Sequence, residues 1–513
     1  MVSYRIFNIT LFIIILTTAS LLSFRTDYLL NSDYGFHLSY FIQPIMSMKE
    51  GYRLLYDQPS QYGFINILIP YLLNINGPIN SFHIFQGSLN ILIIIIVALL
   101  SKLILNIKEL NLYIFLFSII LLLSSTDLFG PQVYPSTGVI RFFPVYLLIL
   151  AQCYIRNRNC SRNKEILYLS FCLFISVIWG SEALFYILFS ICLYYLQELL
   201  MEPTLIKFKD ILYKGSSIIF IAFLGALIIV KIYQYNFNIE NLNIGLHFSF
   251  VTTYGSKAIS GQSPNVFTPI LIGTIPLLIA LVLNKKNRSN FLTIACYGSI
   301  IISVLSYSFM RSIANNFNNL WPILFLCFSL IYYEIKKRNK NFNSFSLKII
   351  FLPCLIISSL CLTNVIIKYQ RIPAILQSQK LKINNGGFVS EFRLDEENEE
   401  ILKVIQNIDW NTSSLSILTW SGRTGNTFNS SIRPFLPGPA VSLTYHDPEY
   451  IKKILDNSDT LNNRNGLLIH DKYWDTYKTL AQIVIEIKNC KSIIISDRYD
   501  LYECYSDKEG YLR

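Results

Sequence analysis

The chain has 513 residues, of which 52% are hydrophobic and 15% are charged, whereas a soluble domain carries about 25% charged residues. Its mean hydropathy is +0.43 and its net charge is +11. This composition excludes an ordinary soluble enzyme and a disordered chain. A basic charge on so apolar a chain is typical of cytoplasmic membrane loops before it indicates nucleic-acid binding, so we expect a polytopic membrane protein with no nucleic-acid partner.

The charged residues divide the chain at Lys368. Residues 1–368 contain 26 Lys and Arg against 13 Asp and Glu, whereas residues 369–513 contain 17 against 19. The basic first part predicts a transmembrane body over 1–368, with a long first outer loop at 25–80. The near-neutral second part predicts one extracytoplasmic soluble α/β domain over 369–513.

Apolar segments of about the length that a spanning helix needs follow one another along the body. The stretch 63–76 is too short to cross and contains Pro70, so we interpret it as an interfacial or re-entrant helix. The remaining segments predict about eleven transmembrane helices, at 6–24, 81–104, 112–125, 137–155, 164–180, 181–200, 212–233, 267–284, 290–308, 317–335 and 347–367.

Short connections rich in Lys and Arg give the expected orientation. With eleven spans, these connections all fall on one side of the membrane, which the positive-inside rule assigns to the cytoplasm. The N-terminus is then cytoplasmic, and the C-terminal domain is periplasmic or extracellular. The high Ile, Asn and Lys content and the absence of a retrieval signal favour a bacterial inner (plasma) membrane.

The first outer loop holds a candidate catalytic acid. Residues 34–48 have apolar side chains mostly at helical spacing, which predicts a short amphipathic helix lying along the membrane interface. Asp33 stands at its start, where a carboxylate can cap backbone N–H groups or accept a proton from a substrate hydroxyl. Two alternatives stay open. Asp33 could serve only as a helix cap, and the turn-rich piece that follows the helix could be a plain connector.

More polar residues fall at the outer ends of later helices: Arg141, Trp179, Glu182, Arg311 and Asn315. Because a charge within a membrane is costly, such a residue is usually retained for a partner. Arg141 and Glu182 could form a structural ion pair instead, and Arg311 could be an interfacial anchor. The opposite face of the membrane carries little but Lys and Arg clusters.

This grouping predicts a site that handles a lipid-linked anionic substrate from outside. Arginines bind phosphate through planar forked donors, and a carboxylate at the water boundary can take a proton from an acceptor hydroxyl. Aromatic and amide side chains suit sugar rings. A pore or pump would more often place its charges at mid-membrane.

The residues resemble those of the polytopic GT-C glycosyltransferases, which use polyprenyl-phosphate sugars as donors. In that superfamily the first helix leads into a long outer loop with an essential acid, and Asp33 stands in that position. The segment from Gly51 through Asp57 to Gly63 is similar to a Gly, Tyr and Asp stretch in the same loop. The turn Trp179-Gly180-Ser181-Glu182 and the stretch after Arg311 resemble further motifs of bacterial members.

The resemblance implies an enzyme that transfers a sugar, by an inverting-type reaction, from a polyprenyl-phosphate donor to a cell-envelope glycan or lipid-linked acceptor. Asp33 would act as the base or orient the acceptor, and Arg311 and Arg141 would hold the donor phosphate. The other partners would be membrane lipids. The substrate-binding residues would be His37, Asp57, Gln61, Tyr62, Trp179, Glu182 and Asn315.

Cofactor use and two other functions stay open. The first loop has no paired acid beside Asp33, whereas Mg²⁺ or Mn²⁺ would want a second carboxylate or a substrate phosphate; no metal ligand is assigned. An O-antigen polymerase or ligase would place arginines in a large loop between late helices. A lipid-linked glycan flippase or transporter would show repeats and helices broken at mid-membrane, and we detect no repeat.

The C-terminal part alternates short apolar runs with helical stretches. The runs are 415–419, 467–469 and 493–496, and the helical stretches are near 448–456 and 474–488. This alternation predicts a small α/β domain with a partly parallel sheet. Cys490 and Cys504 flank a predicted hairpin, and an outer location would permit a disulfide between them.

Overall fold

A computed structural model describes most of the predicted helices and the core of the C-terminal domain. The described residues are 2–24, 32–60, 62–75, 77–103, 138–158, 160–242, 246–247, 288–310, 320–338, 414–418, 433–438, 443, 447–473, 475–495, 497 and 499–506. The predicted spans 112–125, 267–284 and 347–367 lie outside these ranges. The chain forms two compact units. One comprises Met1–Arg25, Gln86–Lys231 and Gly255–Lys368, and the other comprises Thr26–Phe85, Ile232–Tyr254 and Tyr369–Arg513.

The helices before residue 339 follow the predicted apolar segments. In chain order they are α1 (Val2–Ser23), α2 (Ser32–Lys49), α3 (Ile65–Leu73), α4 (Pro78–Leu103), α5 (Val139–Asn157), α6 (Arg162–Trp179), α7 (Ser181–Met201), α8 (Leu205–Asn236), α9 (Arg288–Met310) and α10 (Trp321–Arg338). Each predicted span within the described ranges coincides with one of them. The predicted tight turn between the fifth and sixth spans is confirmed, because Gly180 alone separates α6 from α7.

Several of these helices are suited to a membrane. In the described part of the chain, four segments are long and apolar enough to cross one: Asn80–Leu100, Val139–Arg156, Ser181–Met201 and Leu205–Asn236. Two shorter apolar stretches lie at Ile294–Ser306 and Pro322–Ile331. Helix α8 is about 48 Å long at 1.5 Å per residue and exposes many apolar side chains, as a lipid-facing helix does.

Helices α5, α6, α7, α9 and α10 pack into a bundle within the first unit. Hydroxyl groups link α9 to the others: Ser303 Oγ donates to the carbonyl of Tyr186, 2.6 Å away, and Tyr297 lies 2.9 Å from Cys153 Sγ. These bonds satisfy polar groups that the apolar interior would otherwise penalise.

Helix α2 is where the structure corrects the expectation of an interfacial amphipathic helix. Every residue from Tyr40 to Met48 is buried, so this part of the helix has no face left for lipid or water. It packs against α3, and the ring of Phe41 stacks on Tyr62 and Phe82, with centroids 5.1 and 4.7 Å away. Residues 40–48 of the helix are therefore part of the core of the second unit.

Helix α3 has nine residues, which span about 14 Å. The helix is therefore too short to cross a membrane, as the sequence predicted for the 63–76 stretch. Asn74 ends the helix in the left-handed conformation with a φ of 43°, and its N–H donates to the carbonyl of Pro70. Such an end is the usual C-terminal cap of a helix.

The C-terminal residues form the predicted small α/β fold. Its strands are β1 (Ser414–Leu418), β2 (Arg433–Pro434), β3 (Gly466–Asp471), β4 (Asn489–Ile495) and β5 (Tyr499–Tyr505), and its helices are α11 (Pro448–Asp456), α12 (Asp459–Asn462) and α13 (Asp475–Ile487). The strand order is β2-β1-β3-β5-β4. Strand β1 runs parallel to β2 and β3, whereas β5 is antiparallel to β3 and β4. The prediction of a partly parallel sheet is confirmed.

The predicted disulfide between Cys490 and Cys504 is confirmed as well. The two residues are direct cross-strand partners in the β4–β5 hairpin. Cys504 lies in the hydrophobic core formed by the sheet and α13, together with Leu468 and Val484. The bridge therefore fixes the edge strand β4 to the core.

Candidate functional site

The predicted catalytic acid lies in the first turn of α2. Asp33 and His37 are one helical turn apart on this helix, a spacing that places two residues on the same helix face. Gln61, Arg311 and Asn315 lie outside the described residues. The structure thus gives the backbone position of Asp33, the predicted base. The role of Arg311 as a ligand of the donor phosphate stays a prediction.

Three predicted residues from separate helices meet where α5 begins. Arg141 Nε lies 2.7 Å from Glu182 Oε2. Trp179, the last residue of α6, donates its indole N–H to the carbonyl of Ile140, and its ring stacks on Phe143 with centroids 5.0 Å apart. Because Gly180 lets α7 follow α6 directly, the indole and the carboxylate reach the same helix end.

The pair between Arg141 and Glu182 is the structural ion pair that the sequence left open. The side chain of Arg141 is 2% exposed and that of Glu182 is 21% exposed. A buried guanidinium is costly without a carboxylate partner, so this pair explains why a charge persists in an otherwise apolar helix. A donor phosphate would therefore meet an arginine whose charge Glu182 already balances in part.

Asp57 and Tyr62 have structural contacts that hold the first loop together. The carboxylate of Asp57 is buried, accepts the backbone N–H of Arg53 at 2.7 Å and lies 3.1 Å from Arg53 Nε. Burial alone would lower the pKa of Arg53, but the hydrogen bond and charge of Asp57 raise it. Tyr62 packs edge-on against Tyr40, with ring centroids 5.5 Å apart. The turn after α2 is thus a folded element and no plain connector.

The end of α8 also supports this loop. Tyr233 donates its hydroxyl to the carbonyl of Leu54 at 3.0 Å, and its ring meets Phe64 edge-on with centroids 4.8 Å apart. Gln58 reaches back to α2 and donates to the carbonyl of Pro44 at 3.2 Å. The loop is therefore fixed from both sides.

The Lys and Arg clusters at the opposite helix ends are not alone, which corrects the expectation for that face. Glu165 Oε1 lies 3.3 Å from Arg156 Nη2, and its Oε2 lies 3.1 Å from Lys214 Nζ. Asp210 lies 3.3 Å from both Lys214 and Arg162. Glu198 and Lys207 form a further pair between α7 and α8. Among the residues that the structure describes, these four basic side chains therefore lie in ion pairs with acids.

No metal centre forms among the side chains that the structure describes, where no three His, Cys, Asp or Glu residues gather.

No family model, no curated protein and no solved structure matches this chain. Any function assigned to the protein therefore rests on its own residues and geometry. The predicted site residues lie in two places: the start of α2, which carries Asp33, and the helix end that joins Arg141, Glu182 and Trp179.

Proposed function

We propose that this protein is a GT-C-like membrane glycosyltransferase with about eleven spanning helices. It transfers a sugar from a polyprenyl-phosphate donor to a cell-envelope glycan or lipid-linked acceptor at the outer face of a bacterial inner membrane. The observation that carries the proposal is helix α2, which has Asp33 in its first turn and is buried from Tyr40 to Met48. A catalytic acid must be held in place, because small misplacements cost large factors in rate.

In the proposed reaction, an acceptor hydroxyl attacks the anomeric carbon of the donor sugar. A bond forms between that oxygen and the anomeric carbon, and the bond from the anomeric carbon to the phosphate oxygen breaks. The hydroxyl proton passes to the carboxylate of Asp33, and the polyprenyl phosphate leaves with its electron pair. Inversion follows because attack and departure occur on opposite faces of the sugar.

The leaving phosphate needs positive charge more than it needs a proton. Arg311 is the proposed main phosphate ligand, and Arg141 assists it while Glu182 orients its guanidinium. Sugar contacts come from the remaining predicted residues, which are His37, Asp57, Gln61, Tyr62, Trp179 and Asn315. Asp57 and Tyr62 support the proposal indirectly too, because they fix the loop that follows α2.

The variant Asp33→Asn tests the proposal. The full chain is assayed in membranes with a panel of polyprenyl-phosphate hexoses and pentoses that carry a radiolabelled sugar, and with envelope extracts as acceptor. We expect at least one donor to be consumed, and Asp33→Asn to lower its transfer by about 10²-fold or more, since general-base catalysis contributes 10²–10⁴-fold. The matched control is Asp27→Asn in the same loop, which should keep its activity. Full transfer by Asp33→Asn would remove Asp33 as the base.

A further inference from the structure

We propose that the C-terminal sheet domain is a positioning element for α2, and that Tyr52 and Arg464 are its main positioning residues. The inference builds on the proposed function, because α2 carries the proposed base Asp33. It assigns a role to a domain whose role the sequence does not indicate. The contacts all lie within the second compact unit.

The first contact is the burial of Tyr52 in the core of the sheet domain. This residue follows α2 by three positions, yet its side chain is 1% exposed and packs with Phe435, Leu436 and Leu468. Its hydroxyl donates to the carbonyl of Phe435. Burial raises the pKa of the Tyr52 phenol, so the group stays a donor at all working pH values. The segment directly after α2 is therefore part of the domain's own core.

The second contact caps the C-terminus of α2. Arg464 Nη2 donates to the carbonyl of Glu50 at 2.9 Å and lies 3.1 Å from Glu50 Oε2. Thr460 donates its hydroxyl to the carbonyl of Gly51 at 3.2 Å. The last carbonyls of a helix lack intrahelical partners, and a cation there also meets the negative end of the helix dipole. Gly51 can turn the chain here because its φ is +97°, a region that favours glycine.

The third contact lies one turn further into the helix. The backbone N–H of Gly438 donates to Ser47 Oγ at 3.0 Å. A Cβ atom at Gly438 would lie 2.7 Å from Gln43 Cβ, so the backbone after β2 approaches α2 as closely as glycine permits. Three contacts therefore hold the C-terminal half of α2 to the sheet domain.

Because Asp33 lies on the same helix, the contacts at the C-terminal half of α2 also affect where Asp33 lies. From Ser47 to Asp33 is 14 residues, or about 21 Å along the axis. A tilt of about 3° at the held end would move the other end by roughly 1 Å over that length. A displacement of that size can cost about 10²-fold in rate when it misplaces a reacting group. The sheet domain is thus placed to influence the rate through the position of α2.

The test compares Arg464→Gln and Tyr52→Phe with Lys452→Gln in the full chain, reconstituted in lipid nanodiscs. Lys452 lies on α11 of the same domain and pairs with Glu486 at 2.9 Å, with both side chains well exposed. Lys452→Gln therefore also removes one cation from the sheet domain, but at a place away from α2. Tyr52→Phe keeps the ring in the core and removes only the donor, so the fold should survive.

The first readout is hydrogen exchange of peptides that cover residues 32–49. We expect about tenfold faster exchange in Arg464→Gln and in Tyr52→Phe, as fits the loss of one buried hydrogen bond, and no change in Lys452→Gln. The second readout uses the donor identified with the Asp33 assay. The value of kcat should fall by about 10–10²-fold while KM for the donor stays the same, and Arg464→Lys should restore part of it.

Two results would overturn the inference. Exchange of α2 that is unchanged in both variants would show that the sheet domain does not hold the helix. Variants that raise KM with kcat intact would show that the domain contributes to donor binding instead. If Asp33→Asn proves fully active, the proposed reaction fails on its own, and the exchange experiment still decides whether the domain positions α2.

Discussion

The ion pair between Arg141 and Glu182 predicts an unequal response to the loss of its two members. Arg141 is 2% exposed and Glu182 is 21% exposed, so their burial differs. Glu182→Gln leaves a buried guanidinium without this carboxylate, and breaking a buried pair in this way costs about 3–5 kcal/mol. Arg141→Met leaves a carboxylate that can reach water, so we expect a cost of about 1.5 kcal/mol, the low end for a charged hydrogen bond.

Thermal unfolding of the purified full chain in one detergent measures this difference. We expect Glu182→Gln to have the lowest midpoint of the single variants. The double variant with Arg141→Met should be more stable than Glu182→Gln alone, because it removes the buried charge as well. A lower midpoint for Arg141→Met, or strictly additive effects in the double variant, would refute the interpretation of a buried pair that Glu182 balances.

Two further predictions concern the sheet domain. Cys490→Ala should destabilise it by about 3 kcal/mol, the chain-entropy value for a loop of about 15 residues; hydrogen exchange of the β4–β5 hairpin, compared with a Lys452→Gln control, measures the effect, and unchanged exchange would contradict it. His470 is buried, which lowers its pKa below the ordinary 6.5, with Lys472 lowering it further and Asp500, 3.6 Å away, raising it. Below about pH 6.5 the unfolded domain therefore binds more protons than the folded one, so stability should fall as the pH drops from 7 to 5. The same pH series on His470→Phe should lack this loss, and an equal loss in the variant would assign it to other groups.

The sequence predicted the helices and strands from patterns among neighbouring residues. It did not predict the contacts between residues that are far apart in the chain. The apolar segments and the alternation in the C-terminal part depend on neighbouring residues, so helices such as α5 and the β4–β5 hairpin were foreseeable. Part of the contact that buries α2 comes from Gly438, which is 391 residues from its partner Ser47. The bond from Tyr52 to Phe435 spans 383 residues. An apolar stripe looks the same in the sequence whether lipid or protein covers it.

The same limit applies to the candidate site. Arg141, Trp179 and Glu182 were predictable as a group because their helices are adjacent in the chain and Gly180 joins two of them. Asp57 and Tyr62 were identified by their resemblance to a motif, but the sequence did not predict their structural contacts. A turn residue that binds a ligand has the same sequence signal as one that binds the protein's own backbone. The boundary at Lys368 marks a change of composition, whereas residues 26–85 share a compact unit with the chain beyond it.

The charge network at the other helix ends bears on where an anionic substrate binds. The orientation prediction counts Lys and Arg and is little affected by acids, so the pairs formed by Glu165, Glu198 and Asp210 leave it as it was. They do change the electrostatics, since each carboxylate reduces the attraction that its basic partner exerts on an anion. At Lys214 a phosphate would have to displace Glu165, and at Lys207 it would have to displace Glu198. An anion at these helix ends would therefore meet less positive charge than the number of Lys and Arg residues suggests.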